Sequence, residues 1–299
     1  MRKLLVSLIV AVLLAGLFVS SAVATKIKHR GSVYVDKTGL ALNQPEGVAC
    51  GDEYFIVADT GNSQLVRYSI TDQTMIPEVT FPLEKISPII AEINTKGEIY
   101  ILDGKTRAIV KVGQNGQVKG KVEPKGGPGS KTYMPRSFKL DEDDNLYLLD
   151  IFTERVLVLD VAEKYVRHLP FPDNSGSFSD LAISTQGSIY LLDGAAGSIY
   201  VANPGEKSFA LLSSNLKEHM NFPTSLAIDS NGVLYLSDQY GSGLALVDRD
   251  GGFQGRKFGM GWEEGQLYYP SQLCINDQDT LFIADKNNRR VQVFNILNE

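Results

Sequence analysis

Six aspartates, Asp59, Asp103, Asp150, Asp193, Asp238 and Asp285, each close a short apolar run, and they follow one another at intervals of 44, 47, 43, 45 and 47 residues. Around each the chain repeats one pattern: a Pro or Phe start, an apolar strand, a polar turn, a second strand ending in the Asp, another turn and a third strand. PEGVACGDEYFIVADTGNSQLVRY from Pro45, FPTSLAIDSNGVLYLSDQYGSGLALV from Phe222 and YPSQLCINDQDTLFIADKNNRRVQVF from Tyr269 are three of the six copies; the others start near Ser87, Met134 and Ser177.

A repeat of this length, with strands of period two, is one four-stranded propeller blade. Within a copy, large and small residues alternate, as in Leu226 and Ile228 against Ala227, which packs both faces of each sheet. Asn231-Gly232, Lys96-Gly97 and Gln186-Gly187 supply residues tolerant of positive φ between first and second strands. After the third strand a further turn leads into a fourth, as Asp250-Gly251-Gly252 does into Phe253 and Gln114-Asn115-Gly116 into Gln117. Glu299 follows directly on the third strand of the sixth copy, so Ser32-Val33-Tyr34-Val35, ahead of the first copy, is the segment expected to complete that blade. The fold expected for residues 25–299 is therefore one all-β domain, a six-bladed β-propeller of four-stranded antiparallel blades closed by an N-terminal strand. Such closure leaves no open sheet edge between first and last blades.

Residues 1–24 read as a signal peptide, with Arg2 and Lys3 before an apolar stretch from Leu4 to about Val19 and small residues at Ala22-Val23-Ala24. The apolar stretch is shorter than the roughly 20 residues that span a bilayer. The expectation is cleavage before Thr25, a periplasmic or secreted protein, and no stable membrane span afterwards. Net charge is −6 and the basic residues are scattered, which removes the long-range phosphate attraction that nucleic-acid binding needs. A closed single ring is expected to be monomeric.

Two stretches, Ile283-Ala284-Asp285-Lys286-Asn287-Asn288-Arg289-Arg290-Val291 and Ile56-Val57-Ala58-Asp59-Thr60-Gly61-Asn62-Ser63-Gln64-Leu65, resemble the strand-Asp-x-x-Asn-x-x-strand pattern of the NHL-repeat family. Gly265-Gln266-Leu267-Tyr268-Tyr269-Pro270 is similar to the Gly-rich linker before such a repeat. The middle copies depart from the pattern, with Gly197, Gly241 or Glu154 near the place of Asn62. The resemblance implies a stand-alone, exported NHL propeller.

The repeated Asp invites a metal or acid-base reading, but a carboxylate at a strand end also accepts hydrogen bonds from the next turn, and this structural role is the one expected. Asp141-Glu142-Asp143-Asp144-Asn145 starts like a calcium loop, yet Leu146 stands where Gly is required and Phe152 where the last carboxylate should be, so a β-turn is expected. Cys50 and Cys274 are the only thiols. They fall in first and last blades at positions whose parity lets them face each other or point apart, so a disulfide is open and two buried reduced thiols are the default. His29, His168 and His219 fall before the ring, in an outer strand and in a connecting segment. The Lys125-Gly126-Gly127-Pro128-Gly129-Ser130 linker favours mobility.

Propeller geometry points to a better site. Residues one or two places after each copy's first Pro ring the channel mouth, which selects Glu46, Arg136, Asp180, Ser225 and Gln272 as ligand-binding candidates. The second turns add Lys105, Arg107, Arg155, Tyr240, Asn287 and Arg289. Mixed charge and one aromatic suit a polar ligand. The leading expectation is a non-enzymatic binding propeller, without cofactor, that recognises a protein, peptide or glycan at this face. Resemblance to six-bladed enzymes, such as sugar lactonases or the lyase acting on hydroxyglycine-extended peptides, implies an alternative in which Glu46, Asp180 and Gln272 hold calcium as a Lewis acid. An RNA-binding or ubiquitin-ligase accessory role, known for NHL rings fused to other domains, fits the acidity poorly.

Overall fold

The computed structural model describes residues 25–71, 74–129, 132–173 and 176–297. The signal peptide read at residues 1–24 and Ser130 of the linker lie outside the described residues. No helix among the described residues is long and apolar enough to cross a membrane.

The chain opens with β1 (Lys26–Val33) and then lays down blade one as β2 (Gly47–Cys50), β3 (Tyr54–Asp59), β4 (Gln64–Ile70) and β5 (Met75–Pro82). Blade two is β6 (Pro88–Ile93), β7 (Ile99–Asp103), β8 (Ile109–Val112) and β9 (Val118–Lys121). Blade three is β10 (Pro135–Leu140), β11 (Leu146–Asp150), β12 (Arg155–Leu159) and β13 (Tyr165–Pro170). Blade four is β14 (Phe178–Ile183), β15 (Ile189–Asp193), β16 (Ser198–Ala202) and β17 (Ala210–Ser213). Blade five is β18 (Pro223–Ile228), β19 (Leu234–Asp238), β20 (Gly243–Val247) and β21 (Phe253–Lys257). Blade six is β22 (Pro270–Ile275), β23 (Thr280–Asp285) and β24 (Arg290–Leu297), with β1 as its outer strand.

All six sheets are antiparallel and run from an inner strand at the channel to an outer strand at the rim. The closing strand starts earlier than the sequence suggests. Lys26 pairs with Leu297 and Val33 with Val291, while Val35 only bridges to Ala41 beyond the strand. The polar run Lys-Ile-Lys-His-Arg hides it, because an outermost strand buries few side chains, and His29 consequently sits inside the ring, in blade six.

Alternation along each strand sends one face of a blade to the preceding neighbour and the other to the following one. Leu191 packs with blade three, for example, and Leu192 with blade five. The core is thus six apolar clusters, one between each pair of neighbouring blades, including one between blades six and one. In that last cluster Phe55 stacks on Tyr68 at 4.9 Å and meets Phe282 at 4.9 Å. Cys50 and Cys274 do face each other there, and they form a disulfide with Cα atoms 6.1 Å apart that joins β2 to β22. The reduced default does not hold, because the inner strands of blades one and six meet with these two positions in register around the channel.

Each strand-ending aspartate is fully or nearly fully buried and locks its own blade. Its carboxylate accepts the backbone N–H of the residue sixteen or seventeen positions upstream, just ahead of its own inner strand: Asn43, Ser87, Met134, Ser177, Phe222 and Tyr268 in turn. Its remaining capacity goes to the turn that follows, as with Ala195 and Ala196 on Asp193 or Asn288 on Asp285. Burial raises the pKa of Asp59, with Asp36 adding to it, whereas at Asp103 the Thr106 hydroxyl and neighbouring N–H groups outweigh burial and lower it. The first part of the Gly-rich linker ahead of blade three is tied to that blade: Lys125 N–H donates to Glu163 O at 2.8 Å, and Gly127 lies against the Tyr165 ring.

Two outcomes follow from this architecture. Thiol titration of the unfolded, unreduced protein is expected to find no reactive group and, after reduction, two; removing the bridge across its 224-residue separation should lower stability by at most about 5 kcal/mol. Asp193→Ala strands the N–H groups of Gly176, Ser177, Ala195 and Ala196 and should lower the urea midpoint by an amount equivalent to about 3 kcal/mol.

Candidate functional site at the channel mouth

The six inner strands begin on the face that carries the second turns, and their first residues ring a cavity of about 240 Å³. Glu46, Arg136, Asp180, Ser225 and Gln272, chosen by position after each Pro, all line it, as does Arg107 from the second turn of blade two. Their roles differ sharply. Asp180 is buried and accepts hydrogen bonds from Ser137 Oγ at 2.5 Å, Ser225 Oγ at 2.8 Å and Leu226 N–H at 2.9 Å, so one carboxylate ties the inner strands of blades three, four and five. Gln272 is equally buried. Its Oε1 accepts the N–H groups of Val48 and Ala91 at 3.0 Å each, and its Nε2 donates to Ala91 O at 3.0 Å and Glu92 Oε1 at 3.2 Å. A side chain of blade six therefore crosses blade one to reach blade two.

Beneath this floor Lys139 Nζ donates to Glu92 Oε1 at 2.6 Å, an ion pair across the channel that borders a second, smaller cavity together with the disulfide. Burial opposes the charge on Lys139, but Glu92 and Asp180 outweigh it and hold the ammonium protonated above the usual lysine range. The mouth cavity and this lower one share no lining residue. On the opposite face a wider cavity of about 690 Å³ is lined by the first turns, including Asp141, whose Oδ1 closes its β-turn by accepting the N–H groups of Asp143 and Asn145.

Five of the predicted rim residues, Lys105, Arg155, Tyr240, Asn287 and Arg289, do not line the mouth cavity. Arg155 is the first residue of β12 and lies buried 3.5 Å from Asp150. Tyr240 stacks on Phe222 at 5.0 Å and presents itself to solvent beside the cavity, and Arg289 follows a tight turn whose left-handed backbone directs it outward. In blades five and six the residue directly after the strand-ending Asp lines the mouth instead. Lys286 pairs with Glu46 at 2.8 Å, Gln239 lines the cavity, and Thr60 Oγ1 donates to Pro88 O of the next blade at 2.6 Å. Counting one place on from the Asp series would have found them.

Arg107 and Arg136 stand apart from this web of paired groups. Nη2 of Arg107 donates to the carbonyls of Pro135 and Arg136, at 2.8 and 3.1 Å, and burial together with the Arg136 charge lowers its pKa. Arg136 itself is exposed. Neither guanidinium has an ion-pair partner among the described residues.

The three histidines stand elsewhere. His29 is in β1 against Phe294, His168 in outer strand β13 against Tyr165, and His219, ahead of blade five, stacks on Phe253 at 3.9 Å. No group of three or more potential metal ligands comes together among the described residues.

The floor yields one test. Lys139→Met leaves the Glu92 carboxylate buried without its partner and should cost about 3–5 kcal/mol in chemical denaturation, while Lys139→Met combined with Glu92→Leu should recover most of that loss.

Comparison with known proteins gives a consistent fold. The NHL repeat family matches residues 267–294, the end of the linker and most of blade six. No curated protein matches the sequence. Among solved structures, a protein of unknown function from Bacteroides thetaiotaomicron aligns with a TM-score of 0.68 at 14% identity, over 92% of this chain and 76% of its own. A gluconolactonase from Xanthomonas campestris aligns at 0.64 and 14%, over 91% and 90%. A catalytically inactive histidine-to-alanine variant of virginiamycin B lyase from Staphylococcus aureus, with quinupristin, aligns at 0.61 and 10%, over 91% and 100%. At such identities the likeness is one of fold. This chain is therefore a six-bladed β-propeller that carries a match to the NHL repeat in the blade that closes the ring.

Proposed function

We propose that this chain is an exported binding propeller whose mouth face recognises a protein, peptide or glycan partner. One observation carries the reading: the mouth's carboxylates and its amide are already committed. Asp180 serves three donors, Gln272 uses both ends of its amide on neighbouring strands, and Glu46 pairs with Lys286. Seating a calcium ion on Glu46, Asp180 and Gln272 would cost hydrogen bonds that involve all six inner strands. The mouth also carries two arginines without an ion-pair partner among the described residues, Arg136 exposed and Arg107 half-buried on two carbonyls, an arrangement suited to recognition.

The second reading, a hydrolase or lyase, rests on the gluconolactonase and the lyase among the structural neighbours. The lyase depends on a histidine, and none of His29, His168 and His219 lines this mouth. Export supports a partner at the cell surface, in the periplasm or in the medium, and the acidic net charge argues against nucleic acid.

Two measurements separate the readings. Protein purified without chelator and dialysed against trace calcium and zinc is expected to retain no stoichiometric metal; one ion per chain, lost in Glu46→Ala with Asp180→Ala, would establish the enzyme reading instead. Immobilised protein is expected to capture its partner from envelope or culture fractions, and Arg136→Ala should weaken capture at least about tenfold; unchanged capture would remove the mouth from the interface.

A further inference from the structure

We propose that Arg107 and Arg136 form a carboxylate subsite that receives the C-terminal end of a peptide. The proposal rests on the reading of the mouth as a binding face and specifies what it takes.

Three features of the cavity converge. The first is charge. Two guanidiniums from neighbouring blades line one cavity in a chain of net charge −6, and neither is neutralised by a carboxylate of the described residues. The acids of the channel are spent elsewhere, Glu46 on Lys286, Asp180 on two serines and an N–H group, and Glu92 on Lys139, and Glu154 and Asp173, which share an outer cavity with Arg136, form no ion pair with it. Adjacent like charges repel, and an anion held between them removes that repulsion. The second is preorganisation. Arg107 is half-buried and fixed by two carbonyls of blade three, one of them Arg136's own, so its plane is set before a ligand arrives. Its Nε and Nη1 can each give one hydrogen bond to a ligand oxygen, while Nη2, shared by both bidentate edges, stays on the two carbonyls.

The third is the shape of the recess. Gln272 and Asp180 join the inner strands at its base, the Glu92 to Lys139 pair lies in the next layer, and the mouth cavity shares no lining residue with the cavity beneath it. A volume of about 240 Å³ fits the end of a chain, one or two residues, better than a strand passing through. Ile89, Ile90 and Phe222 supply apolar wall beside the guanidiniums, which suits an aliphatic or aromatic last side chain better than the hydroxyl-bearing ring of an acidic sugar.

The test is a nuclear magnetic resonance titration of the intact protein with acetylated tripeptides ending in Leu, Phe or Ala as free acids, with the same peptides as C-terminal amides, and with glucuronic acid. At least one free acid is expected to bind and to shift the Arg107 and Arg136 side-chain Nε–H resonances, with its amide weaker by about tenfold or more. Arg136→Gln, at an exposed position, should bring the acid down to the level of the amide, whereas Lys105→Gln, outside the cavity, should leave binding unchanged. Equal binding of acid and amide overturns the subsite, as does saturation by glucuronic acid without binding of any peptide. If no peptide binds while Arg136→Ala still abolishes partner capture, the peptide-end subsite is overturned and the binding reading stands.

Discussion

A buried carboxylate that reaches back sixteen or seventeen residues is what makes each segment of this chain a blade. Strands two and three of a copy are held by a tight turn, but the inner strand enters from a long connection with no local reason to stop at the right register. The Asp at the end of strand two supplies that reason by accepting the N–H group just ahead of the inner strand, and the same oxygens hold the turn after it. Because both the inner-strand start and the second turn lie on one face, the lock also builds the mouth. Fold and site share one set of hydrogen bonds.

The aspartates are legible in the sequence for this reason, since a residue needed once per blade recurs once per blade. The same periodicity delivered the inner-strand candidates, because a position fixed relative to the lock is fixed relative to the channel. It failed where the backbone turns sharply. Between Asp285 and Arg290 the chain passes through a 3₁₀ turn, and which of Lys286, Asn287 and Arg289 faces the channel depends on dihedral angles that spacing does not reveal. Arg155 stands five places after its Asp, as Arg290 does in blade six, so it opens the third strand instead of lying in the turn, and it is buried beside Asp150. The closing strand β1 escaped accurate delimitation because half of its side chains are charged or polar and solvated.

The floor of the mouth was not legible at all. Glu92 and Lys139 stand on inner strands of different blades, 47 positions apart in sequence, and no local pattern marks them as partners. Gln272 looks like an ordinary polar residue in a strand, yet it spans two neighbouring blades. Only the ring geometry makes such residues neighbours. Each of these contacts ties the inner strands of different blades together around the axis.

The pairing of β1 with β24 also orders events in time. The first strand of the chain finds its partner in the last, so five blades can assemble while the sixth has only a solitary strand waiting at its edge. During synthesis that N-terminal segment stays unpartnered until nearly the entire chain has emerged. A ring of this kind is completed by its final residues or not at all, which makes shortened chains recognisable as unfinished by the apolar faces that blades one and six would otherwise hide from each other.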